Sequence, residues 1–167
     1  KAKRRALSNG LKVVLVHIPN SPTTTVEVIV ETGSKYESDK ERGLSHFLEH
    51  MCFKGTKKRP SAAAVHKAFD ELGAISNAFT SSEVTGYWAK ASYKHVLKIL
   101  DIVSDIYLNT VFKTEDLAKE KGVIIEEINM YEDKPQSIVG EVFDYAMHGN
   151  QPAGLPIIGS KKSVNSF

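Results

Sequence analysis

His46, Glu49 and His50 stand in the run GLSHFLEHMCFKGT, Gly43 to Thr56, and give the spacing His-x-x-Glu-His inside an apolar segment. On a helix, residues four apart lie one above the other, so His46 and His50 can each turn one ring nitrogen towards a single cation. Paired imidazoles favour zinc or another transition ion over calcium or magnesium. Glu49 follows His46 by three and falls on the neighbouring face. It is too crowded there to be a ligand as well, but it can reach a water held by the metal. Such a water has its pKa lowered towards neutrality, and a carboxylate beside it can take the proton, which is the chemistry of peptide-bond hydrolysis.

The same three residues also arise by chance, as satisfied histidines at a core edge beside a solvated charge. A third ligand separates the two cases, because catalytic zinc usually has three protein ligands and an open position. The candidates lie in EKGVIIEEINMYEDK. Glu120 and Glu127 are seven apart and share a helix face, while Glu126 lies about 100° from Glu127. His17, His66, His95 and His148 have no partners at ligand spacing and are expected to be surface or core histidines.

These residues need elements to position them. LKVVLVHIP and TTTVEVIVETG are β-branched runs separated by Asn20-Ser21-Pro22, a hairpin-like pair of strands, with Val26, Val28 and Val30 on the more buried face. From Leu44 the period changes: Leu44, Phe47, Leu48 and Met51 form a helical stripe, with Gly55 at its end. A second helix opens at Pro60-Ser61 and closes at Gly73. AISNAFTSSEVTGYWAKAS reads as two extended segments around a turn near Ser81-Ser82. Val96, Leu97, Leu100, Val103 and Tyr107 mark a third helix. The pattern Thr114, Asp116, Leu117 reads as the capped first turn of a fourth, which runs to Pro135. SIVGEVFDYAMHG is a fifth, ended by Gly149, and the Pro- and Gly-rich tail from Asn150 reads as loop. This order gives an α+β fold: a mixed, mainly antiparallel sheet with helices packed on one face.

Composition excludes several classes. The chain has 167 residues, 41% apolar and 25% charged, with a net charge of +2. That is ordinary for a globular domain. Its short basic runs carry no interleaved aromatics, so nucleic acid is not an expected partner. No run reaches the roughly 18 apolar residues that span a membrane. The single cysteine, Cys52, makes no internal disulfide and is expected to be a small buried hydrophobe.

ETGSKYESDKERGLSHFLEHMCFKGT resembles the signature of the inverzincin metallopeptidases of the pitrilysin, insulin-degrading enzyme and mitochondrial processing peptidase β group, whose motif is His-x-x-Glu-His. GAISNAFTSSEVTGY is similar to the family's Gly-Ala-x-x-Asn-Ala-x-Thr segment with its following Thr-x-Tyr. QPAGLPIIG is similar to its Pro-Leu-Gly-Arg-Pro-Ile-Leu-Gly run, with Ala153 and Leu155 in place of the usual Leu and Arg. The resemblance covers nearly the whole chain. It implies that His46, His50 and Glu127 hold one zinc per chain. Glu127 is 77 positions after His50, with the auxiliary acidic residue Glu120 seven before it. It implies that Glu49 is the general base, that Glu120 tunes or orients the site, and that Asn77 and Ala78 hold a substrate backbone as an added strand. Phe47 and Phe53 are expected to be core.

The function so implied is a zinc endopeptidase acting on oligopeptides or unstructured segments. The alternative is a non-catalytic partner or scaffold subunit of a two-subunit processing peptidase. A purely structural zinc module usually has four ligands, often cysteines, and fits one cysteine poorly. The resemblance further implies that residues 1–167 are an incomplete N-terminal zinc-binding domain. A C-terminal half or partner subunit would then close the cleft around the peptide. The cytoplasm is the expected location, with the mitochondrial matrix as the alternative.

Overall fold

The computed structural model describes residues 2–167. Strands β1 (Ala2–Ala6) and β2 (Lys12–Val16) form a two-stranded antiparallel sheet. Strands β3 (Thr23–Val30), β4 (Ile75–Thr80) and β5 (Thr85–Ser92) form a second antiparallel sheet in the order β3-β5-β4. The helices are α1 (Leu44–Met51), α2 (Ala62–Asp70), α3 (Val96–Leu108), α4 (Thr114–Glu132), α5 (Pro135–His148) and α6 (Lys161–Ser166). The fold is thus α+β, with every strand pairing among the described residues antiparallel.

One expected pairing changes. β2 and β3 do not make a hairpin; β2 turns back onto the basic N-terminal segment, and β3 pairs with β5. The register explains the second choice. Val26, Val28 and Val30 stand opposite Ala89, Tyr87 and Thr85, all buried, so the apolar face of β3 meets its match across 60 residues. β2 is exposed along most of its length and has no comparable face to satisfy.

Helices α2 and α3 cover one face of the three-stranded sheet. Val65, Phe69, Ile99, Ile102, Val103 and Ile106 pack with Tyr87, Ala89 and Ala91, while Ile29 and Ile75 on the other face stay exposed. The buried stripe of α3 is not the expected one: of its five residues only Val103 is buried, and Leu97 is 76% exposed. The helix is apolar almost all round and carries two overlapping stripes. The one rich in β-branched side chains packs on the sheet.

Helix boundaries also shift. α1 ends at Met51, and Gly55, at φ +143°, closes the turn that follows. Ser61 caps α2 by accepting the Ala64 N–H. Thr114 does not cap α4: the capping position is Lys113, with no side-chain bond, and Glu115 and Asp116 in the first turn face the positive end of the helix dipole instead. Pro135 starts α5 at a position where its missing N–H costs nothing. The tail contains α6, begun by a capping box between Ser160 and Ser163, where loop was expected.

A second core, of Phe47, Met51, Ile124, Ile128, Ile158 and Val164, joins α1 to α4 and the tail. Phe47 and Met51 are one turn apart on α1 and fully buried; burial of each contributes about 1.5–3 kcal/mol. Cys52, just past α1, belongs to the first core, so α1 is wedged between the two. At its start the backbone touches the tail. Gly43, at φ +88°, would place a Cβ 2.4 Å from the Ile158 carbonyl oxygen, and Gly159, at φ +82°, would meet the Arg42 carbonyl at 2.5 Å. Only glycine tolerates both the left-handed backbone and the contact.

Gly43→Ala is therefore expected to destabilise the chain by about 1–3 kcal/mol, read as a lower urea midpoint. An unchanged midpoint would show that the tail does not fix the entry to α1.

Candidate metal centre

Helix α1 has no capping side chain of its own, because its N-cap is Gly43. The Glu37 carboxylate supplies the acceptors from outside, taking the N–H of Gly43 at 2.7 Å and of Ser45 at 2.6 Å. A carboxylate at this end also opposes the helix dipole. With Phe47 and Met51 pinned in the core on one face, His46 and His50 project from the next. Their rings lie 4.6 Å apart between centroids.

Helix α4 presents the complementary face. Glu120, Ile124 and Ile128 succeed one another at intervals of four and are all buried. Glu127 lies beside them and turns its carboxylate to both histidines, 3.8 Å from His46 Nε2 and 3.5 Å from His50 Nε2. Glu126 is exposed, and among the described residues its carboxylate accepts from the Asn129 side-chain amide. Among the described residues His46, His50 and Glu127 form a group able to hold a metal, each offering one atom within 4.8 Å of the others.

Glu120 sits behind this group and is 3% exposed. Its Oε1 lies 2.8 Å from His50 Nδ1, and its Oε2 takes the Lys54 ammonium at 2.6 Å. Burial pushes its carboxyl up, but the bonds from His50 and Lys54 outweigh that and hold it below the ordinary glutamate value. The ionised carboxylate accepts Nδ1–H, which turns His50 Nε2 towards Glu127. Burial, and next the neighbouring His50, lower His46 to about 4, so its ring is neutral and has a lone pair to offer.

The donor set fits zinc. Bonds of about 2.0–2.2 Å in a tetrahedral site put ligand atoms roughly 3.3–3.5 Å apart. The observed 3.5 and 3.8 Å come within a few tenths of that. They are also too long for hydrogen bonds. Two ring nitrogens and a carboxylate therefore converge without satisfying one another, and His46 Nδ1 has no partner among the described residues.

Glu49 is half-buried on the flank of the group, and its Oε2 accepts the Thr80 hydroxyl at 2.5 Å. Burial raises its carboxyl above the ordinary value, against the opposing Thr80 bond. A cleft of about 590 Å³ runs past these residues between β4 and the tail segment Leu155 to Ile158. Asn77 and Ala78 line it from β4, whose outer edge has no strand partner among the described residues. The Ala78 side chain belongs to the core, so what it can offer the cleft is backbone. Phe47 is core and Phe53 packs against the core, as expected. Sequence reasoning missed Glu37, Lys54 and Thr80. Glu37 lies outside any helix, Lys54 looks like one more surface lysine, and Thr80 acts across 31 residues.

Residues 12–161 match the family described as insulinase, peptidase family M16. A protein of Bacillus subtilis named as an uncharacterized zinc protease, YmxG, is 41% identical over 99% of this chain and 40% of its own length. The crystal structure of a protease from Helicobacter pylori superposes on the whole chain with a TM-score of 0.93 and 27% identity, over 40% of that protein. A structure described as an inactive M16 peptidase domain from Pseudomonas fluorescens superposes with a TM-score of 0.87 at 16% identity, over 98% of this chain and 40% of that one, which is a likeness of fold alone. The chain thus spans about two fifths of the length of these relatives. Among the described residues no helix is long and apolar enough to cross a membrane.

Zinc titration of the metal-free chain against a competing chelator ranks the α4 carboxylates. Glu127→Gln is expected to weaken binding far more than Glu126→Gln. Glu120→Gln should cost about 10–100-fold, the usual weight of a residue that orients a ligand. A reversed order of Glu127 and Glu126 would assign the third ligand to the wrong face of α4.

Proposed function

The chain belongs to the insulinase family, peptidase family M16, and on that premise we propose that it is the zinc-binding part of an endopeptidase acting on oligopeptides or unstructured segments. The observation that carries this reading is the convergence of His46, His50 and Glu127 with Glu49 on their flank. His46 Nε2, His50 Nε2 and Glu127 would hold one zinc per chain. When bound, zinc acts as a Lewis acid, polarising a carbonyl oxygen and lowering the pKa of water.

The chain's own residues do the rest. Glu49 takes a proton from water on its carboxylate and returns it to the departing amine. Glu120 fixes the tautomer and tilt of His50 from behind, with Lys54 keeping its charge compensated. The free edge of β4 at Asn77 and Ala78 holds the peptide extended as an added strand. Because the chain is about two fifths the length of its relatives, the opposing wall of the cleft is assigned to the rest of the polypeptide or to a partner subunit. The named relatives are bacterial, which lends the mitochondrial matrix no support and leaves the cytoplasm as the reading kept.

The other reading is a non-catalytic partner or scaffold subunit of a two-subunit processing peptidase. One variant separates the two. Glu49→Gln in the full-length polypeptide is expected to retain stoichiometric zinc and lose at least about 100-fold in peptide cleavage, the usual weight of a general base. A wild-type polypeptide that binds zinc and cleaves nothing would favour the partner role, and full activity in Glu49→Gln would remove that residue from the chemistry.

Positioning a substrate can supply about 7–11 kcal/mol of a barrier. The 167-residue chain alone is therefore expected to bind zinc but cleave peptides very poorly. Addition of the remaining polypeptide in trans is expected to restore cleavage. Efficient, Glu49-dependent cleavage by the chain alone would show that one wall of the cleft suffices.

A further inference from the structure

We infer that Thr80 is a positioning residue for Glu49, tying the proton acceptor to the strand along which the peptide lies. This deepens the reading of Glu49 as the base and rests on it.

Thr80 is the last residue of β4 and pairs with Thr85 of β5. Its hydroxyl donates to Glu49 Oε2 at 2.5 Å, the short end of a charge-assisted O–H to carboxylate bond. Among the described residues it is the hydrogen-bond donor that Glu49 finds. Strand alternation puts Ala78 and Thr80 on the same, more buried side of β4, facing α1. The branched Thr80 side chain has few χ1 choices, so its oxygen is held in place.

The backbone behind it is fixed from two directions. Ser81 accepts the Val84 N–H on its side chain and gives its own N–H to the Val84 carbonyl, which closes the β4–β5 turn. The carbonyls of Ser81 and Ser82 take the N–H groups of Ser34 and Lys35. That segment continues to Glu37, which caps α1. Thr80 and Glu49 thus sit on two elements braced against each other through the 34–37 segment, by backbone bonds at one end and the Glu37 carboxylate at the other. A glutamate side chain turns freely about three bonds. With Oε2 committed to Thr80, Oε1 is the oxygen left to take the proton, and its place is set relative to the edge that holds the peptide. Thr80 itself carries out no chemistry.

The test uses the full-length, zinc-loaded polypeptide and a peptide substrate. Thr80→Val keeps the shape and removes the hydroxyl. Its kcat is expected to fall about 10–100-fold, the scale of a misplaced catalytic group, with KM little changed and zinc at wild-type stoichiometry. Thr80→Ser should recover most of the rate, and a crystal structure of Thr80→Val should show the Glu49 carboxylate displaced. If Thr80→Val does not fold, Thr80→Ala is read in the same way. Glu49→Gln runs alongside. An inactive Glu49→Gln beside a Thr80→Val of wild-type kcat would overturn the role of Thr80 alone. A fully active Glu49→Gln would overturn the base assignment and this inference with it. Loss of zinc, a rise in KM without a fall in kcat, or no rescue by serine would make Thr80 a structural or substrate-contacting residue and overturn the proposal.

Discussion

The packing of α1 on α4 is the constraint from which the site follows. Phe47 and Met51 on one helix meet Ile124 and Ile128 on the other, and none of these side chains has an alternative to burial. Once they interlock, the phase of each helix is set. The histidine face of α1 must then lie against the face of α4 that carries Glu120 and Glu127. Residues 70 or more positions apart meet at hydrogen-bond and ion-pair distances for that reason. Apolar burial provides the force here, and the polar groups inherit their geometry from it.

Glutamates 49, 120 and 127 lie around one pair of histidines, and their surroundings divide them. Glu120 is the most buried, yet His50 and Lys54 keep it charged. Glu49 is half-buried with one hydroxyl for company, and its carboxyl rises. Glu127 faces the two imidazoles at distances too long for hydrogen bonds. One residue type thus takes three environments, suited to orienting a ring, moving a proton and binding a cation. The division is a matter of neighbours at 2.5–3.8 Å.

Bracing of α1 from its N-terminal side matters as much as its packing. Glu37 caps it, the Gly43–Gly159 contact lays the tail across its start, and the 34–35 segment ties it to the β4–β5 turn. These contacts connect the helix that carries His46 and His50, the edge strand and the tail that borders the cleft. They account for why a run as loop-like as QPAGLPIIG ends in a glycine that cannot be exchanged without strain.

Local pattern sufficed for the helix carrying His46, Glu49 and His50, for the β4–β5 turn, for the α+β class, and for placing Glu120 and Glu127 on one face of α4. Each depends on periodicity or turn chemistry within a few residues, which a sequence states directly. The partner of β3, the buried side of α3 and the helix in the tail depended instead on which surfaces were available to bury. Both stripes of α3 are good helical stripes, and only the sheet chose between them. The choice of Glu127 over Glu126 needed a family resemblance, because spacing alone left both open. Glu37, Lys54 and Thr80 look like ordinary surface residues along the chain. They acquire roles only when tertiary packing brings each to a group 8, 66 and 31 residues away, and no local pattern encodes a contact at that range.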